Sequence, residues 1–148
     1  MTRTQRIEPV LRRVDDDERE RSRVLAQARL KQTDAESKRD ELARYRADYL
    51  RGFDQQARDG ASSLRLRDYR LFLARLDDAL KQQDGVVARA RADVERETRA
   101  WQDAARKARA LGHVIDKWRG DERRAAERQE QRETDERATN AAARRARS

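Results

Sequence analysis

From Leu66 to Ile115 every seventh residue is apolar: Leu66, Leu73, Leu80, Val87, Val94, Trp101, Ala108 and Ile115. A second series runs three residues behind it through Tyr69, Leu76, Ala90, Ala104, Leu111 and Trp118, interrupted by Gln83 and Glu97. Alternating steps of three and four average 3.5 residues, slightly short of the 3.6 of a straight α-helix. The stripe therefore stays on one face only if the helix winds left-handedly around a partner. Leu, Ile, Val and Phe supply only about 16% of the 148 residues, and 45% of the chain is charged. Such a composition by itself describes a disordered polymer. The spacing puts the few apolar groups to common use, so the expected fold class is all-α, a coiled coil.

The first part of the chain carries a weaker seam, Ile7, Leu11, Val14, Leu25, Ala28, Ala35, Leu42 and Tyr49. Pro9 falls near its start, where a missing backbone N–H costs little. Between the seams lies QQARDGASS, in which Gly60 can take the left-handed conformation that ends a helix and Ser62 or Ser63 can cap the next. Reversal near Gly60 sets Ile7 opposite a residue close to His113, about where the second seam ends at Trp118. The two boundaries agree on a long two-helix antiparallel coiled coil, on the order of 75 Å in its paired part. The expected division is helix 1 over about 6–57, turn over about 58–62 and helix 2 over about 63–137, one stalk domain spanning 1–138. From Arg119 nothing apolar is larger than alanine. That part is expected to be a solvated, unpartnered helix held by Glu/Arg pairs, with a disordered basic tail over 139–148.

Several function classes fall away. No apolar run is long enough to cross a membrane and no apolar leader opens the chain, so a cytoplasmic protein without membrane insertion is expected. There is no cysteine, and His113 is the single histidine, which leaves no basis for a metal or redox centre. A two-helix pair has no pocket in which to desolvate catalytic groups, so neither an enzyme, a cofactor nor a small-molecule ligand is expected. The net charge of +8 raises nucleic acid as a partner, but acids are interspersed among the bases and no aromatic platform accompanies them. A nucleic-acid-binding arm is kept as the alternative from another class.

Five of the seven aromatic residues, Tyr45, Tyr49, Phe53, Tyr69 and Phe72, lie around the turn. Tyr45, Tyr49 and Phe53 share a face at i, i+4, i+8 and Tyr69 falls on the seam, so these four are expected to close the hairpin tip. Phe72 and Leu71 occupy positions read as turned away from the seam. With Leu76 they are expected to form an apolar ridge for a partner. Gln83 and Glu97 are expected to fix register, Glu97 by approaching Arg21 or Arg23. Gly85, Gly112 and Gly120 weaken the second helix locally.

The runs ELARYRADYLRGF and DGASSLRLRDYRLFLARLDDAL, with Trp101, Lys107, Leu111 and Asp116 downstream, resemble the flagellar export protein FliJ family. The likeness rests on Tyr45, Tyr49, Gly60, Tyr69, Phe72, Leu76 and Ala79 and covers about residues 5–130. It implies a non-enzymatic component of the bacterial flagellar type III export apparatus, linked to motility and chemotaxis. Such a component is peripherally associated with the inner membrane at the flagellar base. Implied partners are the hexameric export ATPase, the membrane-embedded export gate and export chaperones. Under that resemblance the end carrying both termini enters the ATPase ring through Arg12, Arg13, Arg123 and Arg124, and Leu71, Phe72 and Leu76 meet the gate. The equivalent stalk of a virulence type III secretion system is the nearest alternative.

Overall fold

A computed structural model describes residues 1–148. It contains two helices, α1 (Arg3–Arg58) and α2 (Ser63–Arg147), and no strand. They pack against each other as an antiparallel all-α hairpin. Cross-helix pairs straddle the turn nearly symmetrically: Arg46 with Asp77, Arg39 with Asp84, Arg91 with Glu36, and Arg119 with Glu8. All sixteen positions of the two series named above on α2 are buried or half-buried, so the 3.5-residue stripe is the packed face.

The turn is built from its sequence. Gly60 has φ +77°, and the amide of Ala61 donates to Gln56 O (2.9 Å) while that of Gly60 donates to Ala57 O (3.4 Å). This is the Schellman pattern, which satisfies carbonyls left over at a helix C-terminus. Ser62 Oγ then accepts from the Arg65 amide at 3.3 Å, the N-cap of α2.

The chain divides into two compact units. The unit Arg19–Gln102 contains the turn, and in it Leu25, Ala28, Ala35, Leu76 and Val87 form the buried core. Gln83, a polar interruption of the seam, donates through Nε2 to Ala35 O of the facing helix at 3.0 Å. A half-buried amide is thereby satisfied and tied to one register. Glu97 does not do the same with Arg23: Arg23 is bound within its own helix to Glu20, and Glu97 pairs with its neighbour Arg96. Adjacent residues on one helix offer the shorter path.

In the unit formed by Met1–Glu18 and Asp103–Ser148, Ile115 is the most deeply buried side chain, with Ala104 and Thr4. Helix α1 begins at Arg3, so Pro9 lies inside it and not in its first turn. Thr2 and Gln5 form a reciprocal cap, Gln5 N donating to Thr2 Oγ1 (3.1 Å) and Thr2 N to Gln5 Oε1 (2.9 Å). The earlier start gives the region after Arg119 partners that the sequence reading denied it. Thr4 Oγ1 donates to Glu122 Oε1 at 2.8 Å, Arg3 pairs with Asp121, and the Arg3 guanidinium stacks 4.2 Å from the Trp118 ring centroid. Only from Arg123 onward is every residue exposed. Helix α2 also runs through the segment expected to be disordered, to Arg147. No glycine or proline follows Gly120, and alanine and arginine are strong helix formers. Arg144, Arg145 and Arg147 in the last turn complement the negative end of the helix dipole. No helix is long and apolar enough to cross a membrane.

Candidate functional site

Two surfaces carry the residues singled out from the sequence. The first surrounds the turn. Tyr49 is central there, its ring centroid 4.8 Å from Tyr69, 4.5 Å from Phe72 and 6.3 Å from Tyr45; Phe53 lies 6.2 Å from Tyr69. Gly52 faces the Tyr69 ring, 3.6 Å from where a Cβ would stand to Cε1. Crowding of the rings removes water from Tyr49, and this burial pushes its phenol up from the ordinary value, with Tyr69, Tyr45 and Asp68 adding to the effect.

Phe72 corrects the sequence reading. Its ring does not turn away but packs on Tyr49 and, edge to face, on Tyr45 at 6.2 Å. The reason is geometric: its heptad position flanks the seam, and a ring long enough to reach across folds back on the tyrosines of α1. Tyr45 packs at the tip as expected, against Tyr49 and Phe72, while leaving 51% of itself exposed. Leu71 is outward as expected, also at 51%, and Leu76 sits in the seam at 7%. The sequence reading missed Leu64, 68% exposed and one heptad before Leu71 on the same outer face. The i, i+7 spacing could have found it. Arg65, Arg67 and Arg75 beside these leucines are exposed and make no ion pair.

The second surface belongs to the unit that holds both termini. Arg12, Arg13, Arg123 and Arg124 are all exposed. Arg124 is bound to Asp121 at 2.5 Å, whereas no ion pair engages the other three, and no bond joins the pair on α1 to the pair on α2. From Arg123 to Ser148 the side chains interact only with their own helix, for example Gln131 with Asp135 and Thr139 with the Asp135 carbonyl. This stretch offers charge and hydrogen-bonding groups but no apolar anchor.

Chemically, the first surface offers aromatic and aliphatic groups and the second offers charged and hydrogen-bonding groups. No group of three or more His, Cys, Asp or Glu side chains is positioned to hold a metal ion. The depressions along the helix pair are open grooves, such as that lined by Glu36, Arg39, Asp40, Asp84 and Arg91. In that groove, hydrogen bonds from Gln32 and then Arg91 hold the Glu36 carboxyl below its usual value.

Compared with models of known families, the chain matches the one described as Flagellar FliJ protein over residues 3–147. No curated protein matches it, and no solved structure does.

Proposed function

The chain belongs to the flagellar FliJ protein family, and on that premise we propose that it is a stalk of the flagellar type III export apparatus, without catalysis of its own. It enters the hexameric export ATPase, couples it to the membrane-embedded export gate and binds export chaperones, at the cytoplasmic side of the inner membrane at the flagellar base. The observation that carries this reading is the family match over nearly the whole chain, including both surfaces described above. An antiparallel helix pair whose unpartnered extension bears only polar side chains and alanine is suited to a polar channel. The ATPase contact is assigned to Arg12, Arg13, Arg123 and Arg124, and the gate contact to Leu71 with the remaining exposed edge of Phe72, Leu76 supporting them from the seam.

Truncation after Glu122 tests the ATPase half. It should leave the hairpin folded and abolish stimulation of the ATPase; full stimulation by the truncated protein would rule the assignment out. For the gate half, Leu71→Ala should weaken binding to the gate protein's soluble part about tenfold, the loss of one buried leucine contact. The flagellar family match favours this system over its virulence counterpart. Against a nucleic-acid-binding arm stand the many arginines already committed to acids, including Arg39, Arg46, Arg91 and Arg119. Binding of duplex DNA at physiological salt, falling steeply as salt rises, would revive it.

A further inference from the structure

In the unit that contains both termini, a partly apolar groove runs between the helices. Val10, Val14 and Ala104 line it together with Arg13, Asp17 and Lys107. Val10 is 36% exposed, unusual for a valine beside a two-helix seam, and Val14 is half-buried. On α2 the same face continues through Leu111 to Val114, which is also exposed. The charges around this groove are unbalanced. Asp17 already has an interaction within the chain, while Arg13 and Lys107 are exposed and have no ion pair. The groove therefore presents apolar side chains flanked by two free cations.

The geometry points to this groove as a docking site for an amphipathic helix of another protein whose apolar stripe is bordered by carboxylates. A third helix laid between two others buries its stripe where coiled-coil flanking positions would otherwise face water. Its carboxylates would meet Arg13 and Lys107. The chain's own free helix does not qualify as the occupant from a second copy. Its acid-rich stretch, Glu127 to Glu136, holds no apolar side chain larger than alanine, so it can satisfy the cations but not cover the valines. A lipid surface is disfavoured because two valines and an alanine among charged neighbours make too narrow an apolar face to lie in a membrane interface.

The inference shares Arg13 with the proposed ATPase contact, but it rests on Val10, Val14 and Lys107, which that contact does not use. The experiment uses the full chain and a fluorescent helical peptide with leucines at heptad spacing flanked by glutamates. Controls are a scrambled peptide of the same composition and one with lysines for glutamates. The helical acidic peptide should bind at least tenfold more tightly than either control. Val10→Gln should weaken it about tenfold and Lys107→Glu should weaken it while improving binding of the lysine peptide; Arg44→Glu, on the other unit, should change neither. Helical content and melting measured on each variant show that the hairpin is intact. Equal affinity for the scrambled peptide, or a Val10→Gln protein that binds unchanged, overturns the site. Sedimentation showing that the free protein dimerises and that Val10→Gln abolishes the dimer would replace the acidic helix with a second copy of this chain.

Discussion

Phe72 joins the aromatic cluster that holds the two helices together beside the turn. With its ring 4.5 Å from Tyr49 and 6.2 Å from Tyr45, Phe72→Ala removes intramolecular contacts as well as surface. Being half-buried, it should cost about 1 to 2 kcal/mol, less than a fully buried phenylalanine, visible as a fall of several degrees in thermal melting. An unchanged melting temperature would return the ring to the role of free ligand. Heptad letters did not reveal this, because they place a residue beside the seam without saying how far its side chain reaches back. The glycines give a paired test of opposite sign. Gly60 needs its positive φ, so Gly60→Ala should destabilise by about 1 kcal/mol. At Gly112 an added Cβ meets nothing within 4 Å, so Gly112→Ala should stabilise α2 by up to about 1 kcal/mol. Both are read from urea unfolding midpoints.

At the scale of the helix, the two ends of α1 and the free end of α2 follow different physics. The α1 terminus is closed by its own Thr2 and Gln5, and its Thr4 by Glu122 from α2. Truncation after Glu122 should therefore leave the melting midpoint of the hairpin nearly unchanged, while truncation after Trp118 should cost about 1 kcal/mol of stability, seen as a fall of a few degrees in that midpoint, through loss of the partners of Thr4, Glu8 and Arg3. The far-ultraviolet signal lost in the first truncation reports whether residues beyond Arg123 are helical in solution. The ladder of cross-helix pairs adds a dependence on pH. Glu36 has a folded-state value held low by Gln32 and Arg91. Its contribution is present above the ordinary glutamate value and lost as pH falls through the lowered one. Tyr49 works in the other direction. Its value is raised, so its contribution is full below about pH 10 and declines as pH rises through the window up to the raised value. Stability should thus be flat near neutrality and fall at both extremes, and Glu36→Gln should flatten the acid limb. The seams, the turn at Gly60 and the Ser62 cap were legible in the sequence because each depends on residues close together in the chain. The Thr2 cap lay in plain view as T-x-x-Q but was hidden by starting the helix at the hydrophobic seam. The Thr4 to Glu122 bond depends on the register at the last turn, which the weaker seam of α1, polar where Glu18, Arg21, Gln32 and Arg39 fall on it, does not fix.

For the molecule as a whole, the question is whether the two helices that pack belong to one chain in solution. Antiparallel pairing through a turn closed by a Schellman motif favours the single chain, since α1 and α2 already face each other at no translational cost. The same seam contacts would form in a domain-swapped dimer if the turn opened, with only the turn's own caps lost. Gln27 and Asp93 line one groove with Ala28 and Ala90 in the unit Arg19–Gln102, so spin labels placed on both should lie roughly 10 to 20 Å apart, given helix axes about 8 to 10 Å apart and flexible label arms. A parallel pairing of two chains would leave the labels of one chain many tens of Å apart and is excluded by the short distance. To separate hairpin from swap, protein labelled only at Gln27 is mixed with protein labelled only at Asp93 after joint unfolding and refolding. A monomeric hairpin gives no short distance in the mixture at any concentration and sediments at the mass of one chain. A short distance in the mixture that weakens on dilution identifies exchanged helices. Gly60→Ala sharpens the comparison, because straining the left-handed turn penalises the hairpin and not the swapped form. The mutant should still give no short distance at micromolar concentration if the turn and the mirrored seams together determine the pairing.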